Sequence, residues 1–252
     1  MLPAKTVLCR AFAKSTGFRL IFMPMTKTIT KAIEYGYGVT DSKLKLVGDV
    51  SGKRILVLGA GELLSPITLS LAGAHVIVVD PSAERISLTE ANAEKNEAKI
   101  EFHRGDFADL AFLRADSIDI VFSPLVLDEE KDLDRVIRQS QRVLRTGGYM
   151  ITSFEHPLER MIETNDMPSA PGVLPLGTPR ITRSFFDDTE YESMRNGQRV
   201  MVYPRTLAQV HDLYMRHGFK IDSIAEPTPE FHHEPIVMVP PVVIFRARKE
   251  GL

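Results

Sequence analysis

Arg54-Ile55-Leu56-Val57-Leu58-Gly59-Ala60-Gly61 and His75-Val76-Ile77-Val78-Val79-Asp80 decide the fold of this chain. Each is a short, almost continuous apolar run. That is the pattern of a strand buried on both faces in a parallel sheet, not the alternation of a half-exposed strand. Between the two, Ser65 is placed to cap a helix and Pro66 suits its first turn, where a missing N–H leaves nothing unpaired. Ile67, Leu69 and Leu71 carry that helix to Gly73.

The alternation continues outward. Ser82 opens a polar helix that runs to about residue 98, and Ile100-Glu101-Phe102-His103 is a third strand that turns away at Gly105-Asp106. Ile118-Asp119-Ile120-Val121-Phe122 is a fourth. From about residue 131 to 144 the apolar positions Leu133, Val136, Ile137, Val143 and Leu144 follow a period near 3.6, which predicts a helix. Gly147-Gly148 is expected to stop it, before a fifth strand from Tyr149 to Phe154. Thr206-x-x-Gln209 is a capping box; the helix it opens buries Leu207, Val210 and Tyr214 and ends at Gly218. A sixth strand covers 219–224. A seventh covers 242–248, and the plain loop before it implies an antiparallel partner. Parallel strands need crossover helices, so the whole predicts a doubly wound α/β sheet of seven strands, mostly parallel, with the last antiparallel.

Two regions stand apart. Residues 157–205 hold six prolines and read as a long, mostly irregular insertion, the kind of connection that usually forms a lid over a site. Residues 1–34 read as a basic extension: six Lys or Arg precede the first acid, Glu34. This extension is expected to be a targeting segment, organellar if 1–24 is a transit peptide, or else a packing helix on a cytoplasmic protein. The domain itself is expected to span 35–252.

Composition narrows the function. The 252 residues carry 31 Lys+Arg against 33 Asp+Glu, a net charge of -2, which argues against a nucleic-acid partner because phosphate binding needs a basic footprint. No apolar run reaches the length of about eighteen residues that a membrane span requires. A single cysteine, Cys9, can form neither an internal disulfide nor a cysteine zinc site. His232-His233, flanked by Glu230 and Glu234, lacks helical metal-ligand spacing, so no metal is expected. The run Asp128-Glu129-Glu130-Lys131-Asp132 reads as a solvated helix start, favourable to the helix dipole.

Ligands of an open α/β sheet bind beyond the carboxyl ends of its strands. The residues there are Gly59, Ala60, Gly61, Asp80, Asp106, Ser123, Glu155 and His156, with Pro81 beside Asp80 as a further candidate contact. Glycines allow a close backbone approach, and an acid ending the second strand can accept both hydroxyls of a ribose. A nucleoside-containing ligand is therefore expected.

With these residues in place, the chain resembles the class I S-adenosylmethionine-dependent methyltransferases, in particular the small-molecule enzymes of the methyltransferase type 11 group. The resemblance rests on the run from Leu46 to Gly61, Asp80 after the second strand, Gly105-Asp106 after the third, Arg142-Val143-Leu144-Arg145-Thr146-Gly147-Gly148 before the fifth, and Gly218-Phe219 before the sixth. It implies the Rossmann-like methyltransferase fold and S-adenosylmethionine as cofactor. Gly59 and Gly61 would lie beside its methionine part, Asp80 at the ribose, Asp106 at the adenine amino group and Phe107 against the ring; Ser123 and Pro124 would line the floor. Tyr35 and Tyr37 could fold over cofactor or substrate. Two positions depart from the family pattern. Val57 stands where an acid precedes the first glycine, and Leu63 stands where a third glycine follows.

His156 is the candidate general base, with Glu155 to orient it, because an imidazole titrates near neutrality. Three functions remain open. The first is methyl transfer to a small molecule. The second is a catalytically inactive scaffold with an apolar patch over a vacated pocket, suggested by Val57 and Leu63. The third is an NAD-dependent oxidoreductase; the glycines and Asp80 suit it, but Leu64 stands in place of its third glycine and no Ser/Tyr/Lys set is apparent.

Overall fold

The computed structural model describes residues 32–61, 63–164, 179–195, 198–228 and 239–251. The basic stretch before residue 32 and the His232-His233 pair lie outside them. The principal strands are β1 (Arg54–Leu58), β2 (His75–Asp80), β3 (Ile100–Arg104), β4 (Ile118–Pro124), β5 (Leu144–Glu155), β6 (Phe219–Ala225) and β7 (Val242–Lys249). Across the sheet they run β3-β2-β1-β4-β5-β7-β6. Neighbours from β3 to β5 are parallel, and β7 lies antiparallel to both β5 and β6. The helices are α1 (Ser65–Leu71), α2 (Ala83–Lys95), α3 (Leu133–Val143) and α4 (Leu207–Arg216). Among the described residues, no helix is long and apolar enough to cross a membrane.

Side chains alternate across a strand, so each central run feeds two cores. Leu56, Leu58, Ile77, Val79 and Val121 join Val136 and Ile137 of α3 and Val210 and Tyr214 of α4. Ile55, Val57, Val76, Val78, Ile120 and Phe122 face the other way, onto Tyr35, Val39 and Leu69. Both faces are covered, which is why these strands are apolar throughout. The chain leaves β1 toward β2 and later returns to place β4 on β1's other side. The carboxyl ends of β1 and β4 therefore form the switch point at which such sheets bind ligands.

Three local expectations are corrected. Ser65 does not cap α1: Leu64 is the cap residue, and the Ser65 hydroxyl instead accepts the Glu34 N–H at 2.8 Å and donates to the Glu34 carbonyl at 2.9 Å. Gly147-Gly148 does not end a helix. α3 has already stopped at Val143, and the glycines lie inside β5, whose pairing with β4 is irregular between Ile118 and Ile120. A Cβ at Gly148 would come within 2.8 Å of the Asp119 carbonyl, so no side chain fits there. Among its described residues the insertion, in turn, carries two strand pairs where irregular chain was expected. Ile162–Thr164 pairs with Pro179–Ile181, and Tyr191–Arg195 with Gln198–Val202, each antiparallel. The missed signal lay in the sequence: Asn196-Gly197, the pair that tight hairpins favour most, separates those last two strands.

Candidate cofactor and substrate site

Gly59 and Gly61 have φ of +106° and +131°, conformations that L side chains rarely adopt. A Cβ on Gly59 would also stand 2.9 Å from Val126 Cγ1. All three N–H groups of the loop have partners within the protein. Gly59 donates to the Val79 carbonyl (2.9 Å), Ala60 to Asp80 Oδ2 (2.8 Å) and Gly61 to Thr89 Oγ1 (2.8 Å). Asp80, fully buried at the end of β2, also accepts the Ser82 N–H and Arg85 Nε on Oδ1, at 2.7 and 3.1 Å. Between Asp80 and Ser82, Pro81 is exposed, and its carbonyl receives Arg104 Nε.

Beyond β3, Asp106 is exposed and accepts the Ala108 N–H at 2.7 Å, whereas Phe107 is packed into the main core. Ser123 is buried, and its hydroxyl donates to the Leu58 carbonyl at 3.0 Å, tying the end of β4 to that of β1. Val57 lies in the opposite core, paired with Val78 and Phe122. An acid there would be a buried charge among apolar side chains, a heavy cost without a cation. Leu63 is half-buried.

A chain of ion pairs, which sequence reasoning missed, closes the site from above. Arg85 Nη1 binds Glu129 at 2.8 Å, and Arg195 lies 3.8 Å from the same carboxylate. Arg195, on the 191–202 hairpin, also donates to the Leu125 carbonyl at 2.9 Å and to Glu155 at 3.3 Å, and sits 3.7 Å from Asp128. At its other end the hairpin reaches α2, where Gln198 donates to Glu84 at 2.6 Å. The hairpin thus bridges from the β4 and β5 ends to the first turn of α2, and forms a roof over the switch point. Asp128 and Glu129 belong to a turn whose side chains are withdrawn from water, contrary to the solvated helix start expected of them. Asp132 does cap α3.

The six charged side chains of this chain (Asp80, Arg85, Asp128, Glu129, Glu155, Arg195) are each at most 17% exposed, and acids outnumber bases four to two. Burial works against the charge on Arg195, but Asp128 and Glu155 outweigh it and hold the guanidinium above its ordinary range. Burial pushes the Asp128 carboxyl up, with Arg195 opposing. Tyr37 donates to Glu155 at 3.2 Å; burial and that carboxylate raise its phenol well above the usual value.

The remaining candidates separate. Tyr35 is a core residue rather than a cover. It is fully buried, tilted against Phe122, and its hydroxyl donates to Asp41 at 2.7 Å. His156 is buried with both ring nitrogens engaged: Nδ1 accepts the Leu158 N–H at 3.2 Å, which leaves the ring proton on Nε2 to face Glu226 at 3.0 Å. It pins the start of the insertion to the segment after β6, and no lone pair remains for an acceptor's proton. Glu155 binds Tyr37 and Arg195 rather than orienting His156. Behind the hairpin, a cavity of about 20 Å³ is bordered by Arg160, Arg183 and Tyr191. Burial, with Glu155 adding to it, pushes the Tyr191 phenol up to about 12.

Residues 56–152 match a family model described as a methyltransferase domain. Among curated proteins, the chain is 26% identical over 115 residues to the uncharacterized methyltransferase YbaJ of Bacillus subtilis (strain 168), covering 46% of this chain and 45% of that protein. It is 29% identical over 109 residues to a ubiquinone biosynthesis O-methyltransferase of Bradyrhizobium sp. (strain ORS 278), covering 43% of this chain and 42% of the relative. The matched stretch thus spans less than half the length of these curated relatives. A crystal structure of an S-adenosylmethionine dependent methyltransferase from Mesorhizobium loti shares the fold, with a TM-score of 0.61 at 24% identity over 79% of this chain and 92% of that one.

Proposed function

We propose that this chain is a class I S-adenosylmethionine-dependent methyltransferase, a reading supported by the methyltransferase-domain match over residues 56–152, and that it transfers a methyl group from S-adenosylmethionine to a small-molecule acceptor beneath the 191–202 hairpin. The observation that carries this reading is the buried Asp80 beside the glycine loop at the switch point, with Asp106 one strand away. That set suits a nucleoside. Asp80 can accept from ribose hydroxyls and Asp106 from an adenine amino group, while Gly59, Ala60, Gly61 and Ser123 border the methionine part. Phe107, expected against the ring, is instead a core residue.

When bound, S-adenosylmethionine supplies an activated methyl on a positively charged sulfur. The chain's own contribution is electrostatic and positional. The excess of buried carboxylates favours a cationic ligand, because charges held away from water interact more strongly than exposed ones. The hairpin, anchored by Arg195 and Gln198, excludes water, and orientation in a dry site can supply several kcal/mol toward reaction. Tyr37 remains protonated and donates to Glu155, so it positions that carboxylate and is not a base. Glu155 is the residue we assign to face the acceptor, and His156 holds the insertion's first turn. The scaffold alternative calls for an apolar cover, whereas the cover here is ion-paired.

Incubating the protein with methyl-labelled S-adenosylmethionine and a fractionated cell extract tests the acceptor class. Label should pass into the low-mass fraction. Label confined to protein or nucleic acid would overturn the small-molecule assignment.

A further inference from the structure

Arg85 occupies the first turn of α2, three residues beyond the capping Ser82. A cation is poorly placed there, since the helix dipole presents its positive end to it. Two carboxylates hold it instead. Nε donates to Asp80 Oδ1 at 3.1 Å and Nη1 to Glu129 Oε2 at 2.8 Å. Its aliphatic stem passes beside the glycine loop, with Cδ 3.7 Å from where a Cβ on Gly61 would stand. Burial alone would lower the guanidinium's pKa, but the bonds and charges of Glu129 and Asp80 keep it above its ordinary range.

A carboxylate offers about four acceptor positions. Asp80 uses three, for the Ser82 N–H, the Ala60 N–H and Arg85. The two backbone donors belong to the turns that shape the site and cannot leave without unfolding them. A ribose diol brings two donors, so one hydroxyl finds the remaining position and the second finds the guanidinium. We propose that Arg85 is an internal competitor for the ribose-binding acid. It sets cofactor affinity by occupying the acceptor on Asp80 that the second ribose hydroxyl requires. This inference rests on the methyltransferase reading of the site.

The arrangement has a physical rationale. A fully buried carboxylate without a cation is costly, and Arg85 neutralises Asp80 when no ligand is present. Displacement is nonetheless feasible, because Glu129 retains Nη1 and the guanidinium yields one hydrogen bond without losing its charge partner. Arg85 therefore stabilises the empty site at the expense of the filled one.

The test is calorimetric titration of S-adenosylhomocysteine into the full-length wild-type protein, Arg85→Met and Arg85→Lys, with thermal unfolding of each protein alone. Methionine keeps a stem beside the glycine loop and removes the charge. Arg85→Met should melt lower than wild type and yet bind about tenfold tighter, the equivalent of one charge-assisted hydrogen bond no longer displaced. Arg85→Lys, whose single ammonium must divide between Asp80 and Glu129, should bind with an affinity between those of wild type and Arg85→Met. If Arg85→Met does not fold, Arg85→Gln carries the same expectation. A merely structural arginine predicts lower melting together with weaker or unchanged binding. That result, with the wild type binding, overturns the competitor role alone. No binding by the wild type or by any variant overturns the methyltransferase reading as well.

Discussion

Tyr191 carries an ordinary phenol that its surroundings push up to about 12, through burial and the nearby Glu155. Tyr35, Tyr37 and Tyr214 are raised further, each chiefly by burial. A phenol whose folded value exceeds its unfolded value of about 10 contributes stability that is fully present below pH 10 and is lost as pH rises through the folded value. For Tyr191 that window lies between about 10 and about 12. Alkaline titration followed by phenolate absorbance and circular dichroism together should show the Tyr35, Tyr37 and Tyr214 phenolates appearing with unfolding, not ahead of it, and none of the four appearing near the ordinary value of about 10. Early titration of all four in a still-folded chain would contradict their burial. At this scale the sequence was partly legible. Asp80 and the two glycines could be read from strand ends, because their roles are set by backbone position. Arg85, Glu129 and Arg195 could not, because they meet only when residues far apart in the chain are brought together, and a lone charge in a sequence gives no sign of its partner.

Elements were more legible where a local rule fixes both ends. Thr206-x-x-Gln209 is such a case, and both reciprocal bonds of the capping box form: Thr206 Oγ1 accepts the Gln209 N–H, and Gln209 Oε1 accepts the Thr206 N–H. Thr206→Ala should therefore cost about 1 kcal/mol, read as a lower denaturant midpoint at unchanged slope. A variant indistinguishable from wild type would mean that α4 is held by Tyr214 and Val210 alone. Legibility failed where a local signal competed with tertiary pairing. Gly147-Gly148 looks like a helix stop, yet β4 recruits the chain into β5 before the glycines are reached. Ser65 looks like a cap, yet its hydroxyl is taken by Glu34, thirty-one positions earlier in the chain. The hairpin at 191–202 was obscured by the six prolines around it, although the sequence carries Asn-Gly between its two strands.

For the molecule as a whole, strand order follows from the alternation of apolar runs and helices, and the switch point between β1 and β4 follows from strand order. The location of the site was thus readable before its contents were. The roof was not readable, since no rule of periodicity assigns a loop to one edge of a sheet. Its anchors, Arg195 on Glu155 and Gln198 on Glu84, span the place where a nucleoside would lie. Asp80 and the glycine loop are proposed to form a nucleoside site specific to S-adenosylmethionine. Calorimetric titration of the wild-type chain with S-adenosylmethionine, S-adenosylhomocysteine and NAD, repeated on Asp80→Asn, tests it most directly. The account predicts dissociation constants of order micromolar for the first two ligands, weakened about tenfold or more in Asp80→Asn, and no heat with NAD. Binding of NAD alone, or binding that survives Asp80→Asn unchanged, would contradict it.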